Sequence, residues 1–366
     1  MKNKIIYAFM NAYSQGKSGG DVCFIEIFKR LKPKNITVVT SSLGRRLCRE
    51  EGLQANFVIT TRERSFKNTY LTYLQRIVSG LINCLKIRKV DLIYATSDAL
   101  PDIFPAMVLK LRFPKTIFVT KMFHLIPKNR FYSYFFQQIS LILIRFFADV
   151  VIVDSNILSK QLISFGILRS KLHTIYPGIT IRKQNKFEKR YDGVFMSRLH
   201  KSKGIYDVLC IWKNIIKTLP QAKLAVIGQG PKKILTKLKK QIIKQNLDKN
   251  IELLGFLPDK KAFSIINSSK VFLFPSHEEG FGMIIGEVLS CDVPVVAYDL
   301  PVYNETFKPY IQTVSSFNKQ KFTEMILSIL NNTSQKSLKD PTDYLKNLSW
   351  DSCSNYEYKL MHKMAY

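Results

Sequence analysis

Val271-Phe272-Leu273-Phe274-Pro275-Ser276-His277-Glu278-Glu279-Gly280-Phe281-Gly282-Met283-Ile284-Ile285-Gly286-Glu287 starts as an apolar run, turns through a polar loop with two glycines, and resumes as an apolar pattern at helical spacing. Pro294-Val295-Val296-Ala297 then opens a second apolar run. Strand, loop, helix and strand in that order make a βαβ unit, which needs a parallel sheet covered on both faces. The alternation extends outward over the whole chain. Strands are predicted at 193–197, 223–227, 251–254, 271–275 and 293–297, with helices starting near Ile205, Pro231, Lys260 and Gly282. Upstream, strands are predicted at 4–10, 36–40, 91–95, 116–120 and 150–154, with helices starting near Asp21, Tyr70 and Phe131. The basic stretch 181–190 reads as a linker, and Ser349-Trp350 begins a last helical pattern. The expected fold class is α/β, with two tandem Rossmann-like, doubly wound domains at 1–180 and 191–345, a linker at 181–190, and a helix in 346–366. In open α/β sheets ligands sit beyond the carboxyl ends of the strands, so two such domains facing each other would form a cleft lined by strand-exit loops.

Composition limits what those loops bind. The 366 residues hold 56 Lys and Arg against 27 Asp and Glu, a net charge of +29. Residues 1–180 alone carry 27 basic and 10 acidic residues. Such a surplus favours an anionic partner: nucleic acid, an anionic membrane leaflet or a phosphorylated substrate. No helix-turn-helix, RNP or zinc signature is present, which argues against nucleic acid. The six cysteines show no C-x-x-C pair and read as reduced thiols of a cytosolic protein. The chain has no D-x-D, and its five histidines have no ligand spacing, so no metal site is expected. Met1 to Met10 reads as a first strand rather than a signal peptide.

Four strand-exit loops carry candidate chemistry. In the quoted stretch, Glu279 and Glu287 stand eight positions apart. They would lie two turns apart on one helix face if the helix began at once. The amides of Gly280, Phe281 and Gly282 can receive an anion. Ser197-Arg198-Leu199-His200-Lys201-Ser202-Lys203-Gly204 offers a guanidinium fork and a compact ammonium, which suit a diphosphate. Gly228-Gln229-Gly230-Pro231 is a tight turn that lets backbone approach a ligand. Gly16-Lys17-Ser18-Gly19-Gly20-Asp21 follows the first strand and is neither a P-loop nor a dinucleotide fingerprint. Arg198 and Glu287 are both expected on solvent-facing loops.

Taken together these loops resemble the family 4 retaining glycosyltransferases of GT-B architecture. Gly19-Gly20 resembles that family's N-terminal Gly-Gly loop, and Tyr176-Pro177-Gly178 its Pro-Asn-Gly. Arg198 with Lys203-Gly204, then Gly228-x-Gly230-Pro231, then Glu279 through Glu287, then Pro294-Val295-Val296 follow in the family's order. Ser197 and Asp292 stand where relatives carry Gly, and Leu125 follows His124 where many carry Asp. The resemblance implies a GT-B fold whose last helix crosses back to the first domain. It also implies transfer of a hexosyl unit, with retention and without metal, from a UDP- or GDP-linked sugar to a glycan or lipid-linked acceptor. No cofactor is implied beyond the nucleotide-sugar co-substrate. Glu287 would bind the ribose hydroxyls, and Glu279 would lie beside the donor sugar with Gly280, Phe281 and Gly282. Arg198 and Lys203 would neutralise the leaving diphosphate, with Gly19, Gly20 and Gly228 lining the nucleotide-sugar site. His124 resembles the family histidine that reaches the donor sugar. A nucleotide-sugar epimerase or a phosphorylase on the same fold is the nearest rival reading, and a basic nucleic-acid-binding protein a more distant one.

One segment addresses location. Phe131-Tyr132-Ser133-Tyr134-Phe135-Phe136 is an aromatic cluster flanked by Lys128, Arg130 and Arg145. Aromatics with basic flanks suit an anionic membrane interface. The same stretch also reads as a core helix, with Ile142 and Phe146 as candidates for burial. Docking on the cytoplasmic face of the membrane is the expectation that accompanies a lipid-linked acceptor.

Overall fold

The structure is a computed structural model that describes residues 4–12, 18–62, 68–182, 188–333 and 338–364. The chain forms two compact units, one of Met1–Gly178 with Leu348–Tyr366 and one of Ile179–Asn347. In the first unit the strands are β1 (Ile5–Met10), β2 (Asn35–Thr40), β3 (Asn56–Ile59), β4 (Leu92–Ala95), β5 (Ile117–Met122), β6 (Val150–Val153) and β7 (Leu172–Thr174). They alternate with helices α1 (Gly19–Leu31), α2 (Ser42–Glu50), α3 (Thr69–Lys86), α4 (Leu100–Arg112), α5 (Phe131–Phe147) and α6 (Asn156–Ser164). The second unit holds strands β8 (Tyr191–Met196), β9 (Leu224–Ile227), β10 (Ile251–Gly255), β11 (Ser269–Phe274), β12 (Val295–Tyr298) and β13 (Gln312–Val314). Its helices are α7 (Ile205–Thr218), α8 (Lys232–Lys244), α9 (Asp259–Asn267), α10 (Met283–Leu289), α11 (Lys319–Leu330) and α12 (Thr342–Asn347). Helix α13 (Trp350–Met364) belongs to the first unit.

The sheet orders are β3-β2-β1-β4-β5-β6-β7 and β10-β9-β8-β11-β12-β13, with every pairing parallel. Every residue of β4, β6, β9 and β12 is buried, as strands covered by helices on both faces must be. In each unit the chain winds outward from its first strand and then returns to that strand's other side. The reversals fall between β1 and β4, and between β8 and β11. Loops leaving the carboxyl ends of neighbouring strands part there, which opens a crevice for a ligand.

Strands β3, β7 and β13 were not predicted. Each is three or four residues long at a sheet edge, where pairing on one side tolerates a weak apolar signal. The stretch expected to be a free linker begins as part of the second unit. Arg182 stacks over the Phe263 ring at 3.4 Å and lies 3.7 Å from Asp259, and its amide donates to the Ser290 hydroxyl. Residues 183–187 lie outside the described residues.

Helix α13 is built into the first unit by packing and by charge. It packs on α1, and Arg30 pairs with Asp351 at 2.6 Å. A Cβ on Gly178 would fall 2.2 Å from the Trp350 ring, so two positions singled out in the sequence touch each other. Glu357, fully buried, pairs with buried Lys121 of β5 and accepts from the Tyr94 hydroxyl at 3.0 Å. Burial alone would lower the Lys121 ammonium, but Glu357 holds it above its usual value. Two charges this deep persist only as a pair, because removing either strands the other away from water.

Candidate active site

Two loops part at the switch point of the second sheet. The exit of β8 runs from Ser197 to Gly204 through a 3-10 turn at Lys201–Lys203, and the exit of β11 runs from Pro275 to Gly282. The His277 amide donates to the Ser202 carbonyl at 2.8 Å, and the Ser276 hydroxyl donates to the same oxygen at 3.3 Å. Lys203 Nζ pairs with Glu279 Oε1 at 2.8 Å and donates to the Glu278 carbonyl at 3.3 Å. Both side chains are largely shielded from solvent.

Glycine lets these loops touch. Gly204 has φ 73°, and a Cβ there would lie 1.9 Å from the Pro275 carbonyl oxygen. Gly228, in the turn after β9, has φ 139°, and its Cβ would lie 1.9 Å from the Ser197 carbonyl oxygen. The Leu199 amide donates to the Gln229 carbonyl at 2.9 Å beside that contact. Side chains are excluded at both positions by conformation and by space. Three strand exits are thereby compressed into one surface. On it Glu279 neutralises Lys203, whereas Arg198 is exposed and no carboxylate among the described residues pairs with it. The three charged groups sum to one positive charge, and the exposed guanidinium carries a fork that matches phosphate oxygens.

The two glutamates do not lie on one helix face. Gly282 adopts the left-handed conformation at φ 91°, and α10 starts only at Met283. Glu279 therefore stays in the loop and Glu287 enters the helix, because the left-handed residue breaks the helical path between them. Glu287 is also not on a solvent-facing loop. It is half-buried, and its Oε1 accepts from the Thr180 amide at 3.4 Å. Phe281 is buried edge-to-face on Phe307, so from Gly280 to Gly282 the loop presents backbone rather than the phenyl ring. Asp292, where relatives carry Gly, has φ 56°, a conformation that Asp tolerates better than most residues.

A second network was not legible in the sequence. His277 Nε2 lies 2.8 Å from Asp207 Oδ2, the Tyr298 hydroxyl donates to the same oxygen at 3.1 Å, and Lys319 lies 3.5 Å from Oδ1. Burial, then Asp207, raises the Tyr298 phenol. This cluster ties the β11 exit to the first turn of α7 and so fixes the loop that carries Glu279. Its members come from four separate elements, and no motif spacing connects them.

In the first unit, Gly19 and Gly20 form the first turn of α1, capped by Ser18 and Asp21 in a reciprocal capping box. Gly16 and Lys17 lie outside the described residues. A Cβ on Gly20 would lie 2.8 Å from the Phe123 ring, which seats the glycine turn beside the β5 exit that carries His124. His124 is exposed, and its carbonyl accepts from the Gln137 amide at 3.0 Å. The same amide group donates to Asp98 at 2.6 Å, while Gln137 Oε1 accepts from the Ile126 amide. Burial pushes the Asp98 carboxyl up, against the pull of Gln137 and His124.

Nearby, Asp102 accepts from the amides of Asn11 and Ala12 at 2.6 and 2.9 Å and from the Ser97 hydroxyl at 2.6 Å. Burial raises it to about 7 despite these bonds. A raised acid in the folded state contributes stability that is complete below its unfolded pKa of about 4 and is lost as pH rises through about 7. The melting temperature is expected to fall between about pH 4 and pH 7, and Asp102→Asn to flatten that fall. Parallel melting profiles for the two proteins would contradict the assignment.

The sequence profile of the Glycosyl transferases group 1 matches residues 179–347, and that of Glycosyltransferase Family 4 matches 18–183. Together the two profiles span residues 18–347, and the chain is a glycosyltransferase of this type. An uncharacterized glycosyltransferase of Methanocaldococcus jannaschii is 28% identical to this glycosyltransferase over 240 residues, 60% of this chain and 58% of that one. The poly(glycerol-phosphate) alpha-glucosyltransferase of Bacillus subtilis is 27% identical over 217 residues, 57% of this chain and 30% of that one. The matched region thus spans less than two thirds of either relative. Among solved structures, Anabaena HepE in complex with UDP-glucose has a TM-score of 0.78 at 16% identity, covering 99% of this chain and 100% of that one. The glycosyltransferase thus has the GT-B fold, two Rossmann-like domains with parallel sheets.

Proposed function

We propose that this glycosyltransferase moves a hexosyl unit, with retention and without metal, from a UDP- or GDP-linked sugar to a glycan or lipid-linked acceptor in cell-surface glycan or glycolipid synthesis. The observation that carries the reading is the cluster of Arg198, Lys203 and Glu279 at the switch point of the second sheet, where a diphosphate meets preorganised cations. In this reading Glu287 accepts from the ribose hydroxyls. Arg198 and Lys203 face the diphosphate, which gains negative charge as its bond to the anomeric carbon lengthens. Cations already in place at that moment lower the barrier more than they tighten ground-state binding. Glu279 holds Lys203 in position and lies beside the donor sugar, whose hydroxyls meet the backbone of Gly280 and Gly282. His124 is assigned to the sugar by its match to the family histidine. Departure and attack on the same face of the sugar would retain its configuration. UDP is the favoured base, since the similar Anabaena structure was solved with UDP-glucose and a pneumococcal O-GlcNAc transferase of the same fold with UDP and GlcNAc.

The test is a thermal-shift panel of nucleotides and nucleotide-sugars followed by product analysis. A ligand at about 100 times its Kd stabilises by ~2.7 kcal/mol. UDP or GDP is expected to raise the melting temperature. The product is expected to keep the donor's anomeric configuration by NMR, and turnover is expected to survive EDTA. An inverted product, or activity lost to EDTA and restored by a divalent cation, would overturn the mechanism. A rearranged nucleotide-sugar with no second sugar acceptor would make the chain an epimerase.

A further inference from the structure

Helix α5 is a core helix on one side only. Gln137, Ser140, Leu141 and Ile144 are buried, whereas Phe131, Tyr132, Phe135, Ile142 and Phe146 face solvent, the last two against the expectation that they are covered. Helix α3 repeats the arrangement with a different outer face. Its buried positions include Thr72, Arg76, Gly80 and Cys84, and it turns Leu71, Leu74, Val78, Ile82 and Leu85 outward, each 48–67% exposed. Those five are spaced three or four residues apart, so they form one stripe along the helix. Helices α3 and α5 both pack on α4, and the Tyr70 ring lies 5.7 Å from both Tyr132 and Phe136. The two stripes are therefore parts of one apolar face of the first unit, larger than scattered surface hydrophobics would make.

The charge around this face selects its occupant. Neither α3 nor α5 contains an Asp or Glu over 18 and 17 residues. Exposed Lys86, Arg88 and Lys89 lie at the end of α3, exposed Lys128 and Arg130 precede α5, and exposed Arg145 sits in its last turn. We propose that this face docks on a phospholipid bilayer bearing anionic headgroups, with the apolar stripes in the acyl boundary and the basic residues among the phosphates. A second copy fits worse, because pairing the face with itself brings two sets of basic flanks together in chains that each carry +29. No helix of the described residues is long and apolar enough to cross a membrane, so the contact lies along the surface. The proposal deepens the acceptor reading above and rests on it for what docking achieves, since the His124 carbonyl is held by Gln137 of α5.

The test is co-sedimentation of the full chain with phosphatidylcholine vesicles, with and without phosphatidylglycerol, across a salt series. Wild-type protein is expected to bind only the vesicles with phosphatidylglycerol and to be released as salt rises. Leu74→Glu with Ile82→Glu is expected to reduce the bound fraction by at least about tenfold, through loss of two inserted side chains. Lys86→Glu with Lys89→Glu is expected to shift release to lower salt. All variants should keep the wild-type nucleotide-induced melting shift. Binding by the α3 variant equal to wild type would overturn the proposal, as would a wild-type dimer in sedimentation velocity that Leu74→Glu disperses. Vesicle binding intact alongside a complete lack of nucleotide response would support docking while sinking the donor assignment.

Discussion

Arg198→Ala is expected to slow transfer by about two to three orders of magnitude with no loss of thermal stability. The side chain is exposed, and no carboxylate among the described residues depends on it, so its removal leaves no buried group unpaired. Its proposed contact is with a leaving group whose charge grows during the reaction. Losing one preorganised donor of that kind costs on the order of 2.7–4 kcal/mol of barrier. The loss should fall mainly on kcat, with a smaller weakening of nucleotide binding. Lys203→Ala is a less clean probe. It leaves the Glu279 carboxylate, 12% exposed, without its 2.8 Å partner, so stability and activity fall together. Wild-type turnover in Arg198→Ala would remove the diphosphate from this surface.

Gly204→Ala is expected to impair both fold and activity, by ~2–4 kcal/mol of stability and about a hundredfold in rate. Two terms add. The residue's φ of 73° disfavours any Cβ, and that Cβ would sit 1.9 Å from a backbone oxygen that no rotamer change can move aside. The β8 and β11 exits must then separate, and the Lys203–Glu279 pair bridges those two loops. Gly255→Ala separates the terms. Its φ is 69°, but no atom lies within 4 Å of its Cβ, so only the conformational term of about 1 kcal/mol remains. Equal melting temperatures for the two variants would show that the loop contact carries no weight.

Much of this architecture was legible because parallel strands covered on both faces must be apolar throughout, and ten such runs were read at or near their observed positions. The short edge strands were not, since β7 and β13 offer three residues each. The loops were found through glycines and charges clustered at strand exits. What the glycines do was hidden: Gly204 and Gly228 are excluded from carrying side chains by carbonyls seventy-one and thirty-one residues away in sequence. The two glutamates of the β11 exit were misplaced relative to each other because one left-handed residue, Gly282, decides where the helix begins. The Asp207–His277–Tyr298 cluster left no trace, because its residue types and spacings are ordinary until the sheet assembles them.

The ion pair between Lys121 and Glu357 has a consequence for how the chain is made. Synthesis runs from the amino end, and domains ordinarily close as they emerge from the ribosome. Here the first unit cannot bury Lys121 with its partner until residue 357 has been added, after the whole of the second unit has been translated. Until residue 357 joins it, the nascent first unit lacks the carboxylate that pairs with the lysine its finished core encloses.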